Sequence, residues 1–233
     1  MLRYLTAGES HGKALVAILE GYPAGLKLDV EFINRELKRR QTGYGRGGRM
    51  AIEQDTIDLL SGTRKGMTLG SPIAMKIENK DYKIEELPDV NNPRPGHADL
   101  TGGLKYNHHD VRNILERSSA RETTSRVAVG AVCKLLLAEF GIRIASHIIQ
   151  IGDVRAKTGG KSDFNKMVER SENSPVRCVD PEAEKKMIQL IDQMKEAGDT
   201  LGGIFEVVAV GAPVGLGSCM HYDRKLDSLI GAA

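Results

Sequence analysis

Apolar and polar positions along the chain switch period several times, and the switches predict a mixed α and β protein. Leu2 to Ala7 reads as a short strand, followed after a small-residue loop by a second apolar run from Ala14 to Leu19. Asp29 is placed to cap a helix whose Val30, Ile33 and Leu37 share one face and whose end carries Lys38, Arg39 and Arg40. Strands are expected at Thr56–Leu60 and Ile73–Glu78. Lys80 to Pro93 is polar and proline-bearing, the pattern of an exposed connector. From Ser125 the apolar positions Val127, Val129, Val132, Leu135, Leu136 and Phe140 predict a core helix stopped by Gly141. Ile142–Ile151 is a strand in which His147 fits a satisfied sheet histidine better than a ligand. Residues 162–176 are loosely helical. Asp180 and Pro181 then open an amphipathic helix with Met187, Leu190, Ile191 and Met194 on one face and a stop near Gly198. Ile204–Val210 is a returning strand, and the residues after Lys225 read as the first turns of a further helix. No internal repeat or low-complexity tract is visible.

Composition narrows the picture. A chain of 233 residues is long enough for a real core, and a net charge of +2 supplies no polycationic coat for nucleic acid. No Trp and only four Phe leave few base-stacking platforms, which argues against an RNA-binding module. Cys133, Cys178 and Cys219 are too few and too scattered for a disulfide framework or a zinc knuckle. With no apolar signal core and no membrane-length run, the reading is a soluble, reducing, cytoplasmic protein.

Candidate chemistry concentrates in three places. The loop Gly8-Glu9-Ser10-His11-Gly12 sets an imidazole among small residues, where a ligand can approach the backbone. The loop from Arg40 through Thr42-Gly43-Tyr44-Gly45-Arg46-Gly47-Gly48-Arg49 interleaves glycines with guanidinium groups. It lacks the Gly-Lys-Ser/Thr ending of a Walker loop and fits an anion clamp or a solvated basic loop. Third, Arg94 to Arg126 packs Arg94, His97, Arg117, Ser118, Ser119, Arg121 and Arg126 ahead of the core helix. There the serines fit either N-caps or donors to an anion at a helix start.

Those three segments, in that order, resemble the chorismate synthase family, and the resemblance runs collinearly from Leu2 to the last residue. It implies an α+β fold, a β-α-β sandwich forming a single domain over residues 1–233, assembled as a homotetramer. It implies a lyase that converts 5-enolpyruvylshikimate 3-phosphate to chorismate by anti-1,4-elimination of phosphate, the last step of the shikimate pathway, with reduced FMN as cofactor. By this resemblance His11 protonates the departing phosphate and His97 serves the reduced flavin. Ser10, Arg40, Arg46, Arg49, Arg94 and Arg121 hold substrate anions. Arg117, Ser118 and Ser119 contact FMN, together with Arg40 and Arg46, which also match positions for NADPH in members that reduce their own flavin. Two departures stand out: a shorter connector between Asp81 and Pro93, expected to alter only a surface hairpin, and a C-terminal part of the family that has no counterpart after Ala233. The alternative is an N-terminal fragment that binds flavin or phosphorylated ligands without turnover.

Overall fold

The computed structural model describes residues 2–45, 54–157 and 163–233. They fall into two compact units, Met1–Leu136 and Leu137–Ala233.

In the first unit, β1 (Arg3–Ala7), β2 (Ala14–Glu20), β3 (Asp58–Leu59) and β6 (Ile73–Glu78) form an antiparallel sheet of order β1-β2-β6-β3; β4 (Thr63–Arg64) and β5 (Met67–Thr68) pair separately. The strands expected at Ala14–Leu19 and Ile73–Glu78 form, each with one buried face. Leu15, Ala17 and Leu19 on β2 and Ile73, Met75 and Ile77 on β6 are fully or almost fully buried. Most of that apolar set packs in one cluster with Ile33 and Leu37 of α1 (Val30–Gln41) and with Ala128, Ala131 and Val132 of α4 (Thr123–Glu139). Burying each Leu or Ile side chain there contributes roughly 1.5–3 kcal/mol relative to leaving it in water. Asp29 caps α1 as expected, accepting the Phe32 N–H at 3.0 Å.

Three expectations need correction. The strand at Thr56–Leu60 shrinks to two residues, because the Asn34 side chain takes the Ile57 N–H (2.9 Å) that a longer ladder would use. Residues 94–126 do not lead straight into the core helix: α2 (Asp99–Tyr106), α3 (Arg112–Arg117) and a 3-10 turn at Ala120–Glu122 precede α4. Gly102 permits this, since a Cβ there would meet Ile114 Cγ2 of α3 at 2.4 Å. Phe140 lies beyond the end of α4 and is exposed; Gly141, at φ +71°, supplies the left-handed stop.

The second unit is a three-stranded antiparallel sheet of order β8-β7-β9, made of β7 (Arg143–Ile151), β8 (Val154–Arg155) and β9 (Gly203–Val210). Two helices join it, α5 (Phe164–Asn173) and α6 (Pro181–Ala197). Asp180 caps α6 by accepting the Glu182 and Ala183 N–H groups, Pro181 opens it, and Gly198 ends it at φ +69°. Met187 is buried with Ala156, Val176, Cys178 and Ala183, and Ile191 packs beside them. His147 is a sheet histidine, paired across to Glu206 of β9 at 2.9 Å. The final helix, α7 (Leu226–Ala232), follows Lys225 as the pattern predicts. None of the helices among the described residues is long and apolar enough to cross a membrane.

Candidate active site

The turn between β1 and β2 is held in place by α3 and the turn after it, over a hundred residues away in sequence. Gly8 enters the turn at φ +104°, and any Cβ would sit 2.4 Å from the Ala14 carbonyl, so only glycine fits. Ser10 N–H donates to the Glu116 carbonyl at 2.9 Å, and the Ser10 and Ser119 hydroxyls meet at 3.1 Å. The Arg117 guanidinium donates to the carbonyls of Gly8 (3.1 Å) and Thr6 (3.0 Å). Thr6 in turn donates its hydroxyl to Glu122 at 2.7 Å. Burial favours the neutral form of Glu122, but the Thr6 hydroxyl and Arg126 outweigh it and hold this carboxyl below its ordinary pKa.

His11 is at the centre of this arrangement. Its Nδ1 lies 2.8 Å from Glu116 Oε2, and its backbone N–H donates to the same oxygen at 3.0 Å. Its Nε2 faces Asp81 Oδ2 at 3.5 Å, and Asp81 is paired with Lys83 at 2.8 Å. The His11 carbonyl accepts the Lys83 and Ile84 N–H groups at 3.1 Å. The start of the connector at Asp81–Ile84 therefore forms one wall of the histidine site.

Arg121 and Arg40 make a second, adjoining cluster. Arg121, with a side chain only 6% exposed, donates through Nε to Asn79 (2.9 Å) and through Nη1 to Asp55 (2.8 Å). Arg40 donates to the Thr123 hydroxyl (3.1 Å) and the Ala120 carbonyl (2.9 Å), and its Nη1 lies 3.7 Å from Asp55. Two guanidinium groups thus flank one buried carboxylate. Asn79 links the clusters, since its amide also donates to the carbonyls of Glu9 (3.1 Å) and Gly12 (2.7 Å).

Arg94 and His97 form a third group at the start of α2. Arg94 grips the buried Asp99 with both Nε (2.8 Å) and Nη2 (3.1 Å), and the same Nη2 lies 3.3 Å from His97 Nδ1. That hydrogen bond from Arg94, working against burial, draws the Asp99 carboxyl down to about 2 and raises the Arg94 pKa. A group held below its unfolded value stabilises the fold at pH above that value and ceases to do so as pH falls through the folded one. Lowering the pH from 5 to 2 should therefore remove a contribution of about 1–2 kcal/mol, Arg94 being two-fifths exposed and screened by water. Thermal melts across that range check this: the wild type should lose more stability than Asp99→Asn.

Ser118 is placed differently from the expectation at a helix start. It ends α3, its hydroxyl donating back to the Ile114 carbonyl at 2.6 Å, whereas Ser119 caps the 3-10 turn through the Arg121 N–H. Arg46 and Arg49 lie outside the described residues. Glu116, Asn79, Asp55, Asp81 and Asp99 were given no role by the sequence pattern; only Asp99 and Glu116 lay in a segment it singled out. Among the described residues no group of His, Cys, Asp or Glu is arranged to hold a metal ion.

Fold and site together define an α+β protein that sets an imidazole, backed by a buried carboxylate, among guanidinium and hydroxyl donors. That is equipment for moving a proton at an anionic ligand. The chorismate synthase family pattern matches residues 2–233, and the chain belongs to that family. It is 57% identical to a chorismate synthase of Geobacillus kaustophilus (strain HTA426) and 53% identical to one of Carboxydothermus hydrogenoformans (strain ATCC BAA-161 / DSM 6008 / Z-2901). Both alignments take in all of this chain and 63% of the relative, so the chain spans about 63% of the length of these relatives. A solved structure described as "Crystal Structure of Chorismate Synthase" superposes with a TM-score of 0.83 at 49% identity, over 99% of this chain and 64% of that one. The α+β fold expected from the resemblance is thus the fold found.

Proposed function

We propose that the chain carries the proton-transfer and anion-binding part of a chorismate synthase, eliminating phosphate from 5-enolpyruvylshikimate 3-phosphate to give chorismate with reduced FMN. The observation that carries the proposal is the stitching of the turn at residues 8–12 to residues 116–119. It fixes His11 between Glu116 and Asp81, beside the arginine cluster linked through Asn79. A departing phosphate needs a proton and fixed positive charge, and these residues supply both chemistries.

In this reading the His11 Nε2 delivers the proton to the phosphate. Ser10, which adjoins His11 and meets Ser119, orients the substrate. Arg40 and Arg121 provide a cationic frame only partly neutralised by Asp55, and Arg46, Arg49 and Arg94 complete the reception of the phosphate and two carboxylates. For the flavin, the donor set is of the right chemistry. Arg117 stays two-fifths exposed while it grips Gly8 and Thr6, Ser118 is exposed, and Ser119 is only part-buried. Arg117, Ser118 and Ser119 would hold FMN, joined by Arg40 and Arg46, with His97 serving it. Bound and reduced, FMN supplies electron density that no side chain here can. NADPH as flavin reductant, a homotetramer, a cytoplasmic location and a single domain spanning both units belong to the same reading.

The test is an anaerobic assay of the 233-residue chain with reduced FMN and 5-enolpyruvylshikimate 3-phosphate, following chorismate by absorbance. FMN-dependent turnover supports the proposal. A folded chain that binds FMN without turnover would leave only the ligand-binding reading.

A further inference from the structure

Glu116 is among the most deeply buried charged residues described, and its side chain joins His11 to Arg112. The side chain is 0% exposed, so it cannot touch a ligand. Oε2 receives both the backbone N–H of His11 (3.0 Å) and its Nδ1 (2.8 Å), while Oε1 receives the Arg112 guanidinium at 3.2 Å. The backbone of the same residue accepts the Ser10 N–H at 2.9 Å, so the main chain on both sides of the Ser10–His11 bond is held by one glutamate. Arg112 is itself anchored: its N–H donates to Asp110 (2.9 Å), and its guanidinium donates to the Pro88 carbonyl.

We infer that Glu116 is the positioning residue for His11: it fixes the imidazole with Nδ1 as the protonated nitrogen and leaves Nε2 as the nitrogen that faces the reaction. The reason is the donor inventory. A carboxylate paired with a guanidinium has only lone pairs to offer, so a ring nitrogen 2.8 Å away must be the one bearing hydrogen. With the backbone N–H bound to the same oxygen, rotation of the ring by half a turn would exchange a satisfied Nδ1 for a C–H against a buried carboxylate. That costs the full penalty of an unmade charged hydrogen bond. Nε2 then points to the Asp81 side, the part-exposed wall of the site. Resting on the lyase reading, this geometry assigns the path of the proton. As the C–O bond to phosphate breaks, the Nε2 proton passes to the phosphate oxygen and the ring becomes neutral. Nδ1–H stays on Glu116 throughout, and a proton from solvent restores the starting state.

The test is histidine-ring 15N NMR on the 233-residue chain, with the His11 signals assigned by their loss in His11→Gln. In the wild type, His11 Nδ1 should be protonated. In Glu116→Gln, whose amide can turn its NH2 toward Nδ1, the Nε2–H form should gain population. In the assay above, that variant should lose up to about 10⁴-fold in kcat, by analogy with a triad carboxylate changed to an amide, with KM within about threefold. An unprotonated Nδ1 in the wild type overturns the inference, as does an unchanged tautomer in a folded Glu116→Gln. Should that variant fail to fold, the wild-type spectrum alone decides. Absence of wild-type turnover would end the lyase reading and leave the tautomer assignment standing on the spectra.

Discussion

Replacing Arg121 with alanine should destabilise the first unit by about 3–5 kcal/mol, the cost of leaving a buried carboxylate without its partner. Asp55 has a side chain with no exposure and takes its shortest contacts from Arg121, at 2.7 and 2.8 Å. Arg40, at 3.7 Å, is too far to take over as a hydrogen-bond donor and offers only Coulombic relief, which places the expectation toward the lower part of that range. Asn79 would lose the donor to its Oδ1, while its amide goes on bonding the Glu9 and Gly12 carbonyls, so the damage reaches the turn that carries His11. Arg121→Lys should recover only part of the loss. An ammonium cannot reach Asn79 and Asp55 together as the planar fork does. Urea denaturation midpoints for the three proteins, followed by far-UV circular dichroism, give the comparison. A loss below about 1 kcal/mol would show that water reaches Asp55 once the arginine is gone, and that the cluster is less sealed than its geometry implies.

The same cluster marks where sequence reading stopped. Periodicity disclosed β2 and β6 as strands but not which face of β2 is buried, because Ala14 to Leu19 is apolar throughout, and it disclosed α1 and α6, because Asp29, Asp180, Pro181 and Gly198 are cap residues with a local mechanism. It missed α2 and α3. Thr101, Gly102 and Gly103 are poor helix formers, and these helices form because Gly102 lets Ile114 approach closely, which is a tertiary cause. In the same way, Asn79 and Asp55 belong to no motif and no hydrophobic period. Their roles exist only once β6 and the arginines are brought together, and Glu116 meets His11 across 105 residues of chain. The resemblance to a family pointed at Ser10, His11, Arg117 and Ser119, which the fold does assemble. It did not point at the acidic and amide groups that hold them, since those hold side chains rather than ligands.

His11→Ala should lower turnover by about 10²–10⁴-fold, the usual worth of a positioned proton donor, while leaving the fold nearly unchanged. The asymmetry follows from which contacts belong to the side chain. Alanine keeps the backbone N–H bond to Glu116 and the carbonyl that accepts Lys83 and Ile84, so the turn stays stitched; only the Nδ1 contact and the ring are removed. Arg112 still satisfies the other Glu116 oxygen, so the glutamate is not left as an unpaired buried charge. His147→Ala is the matching control. It removes a histidine equally bound to a carboxylate, but one that bridges β7 and β9 in the second unit, and it should affect melting and not kcat. A steep fall in kcat for His11→Ala alone, with KM little changed, identifies a group acting in the transition state. A rise in KM with kcat unchanged would instead make His11 a binding group, and the proton for the leaving phosphate would have to come from elsewhere in the site.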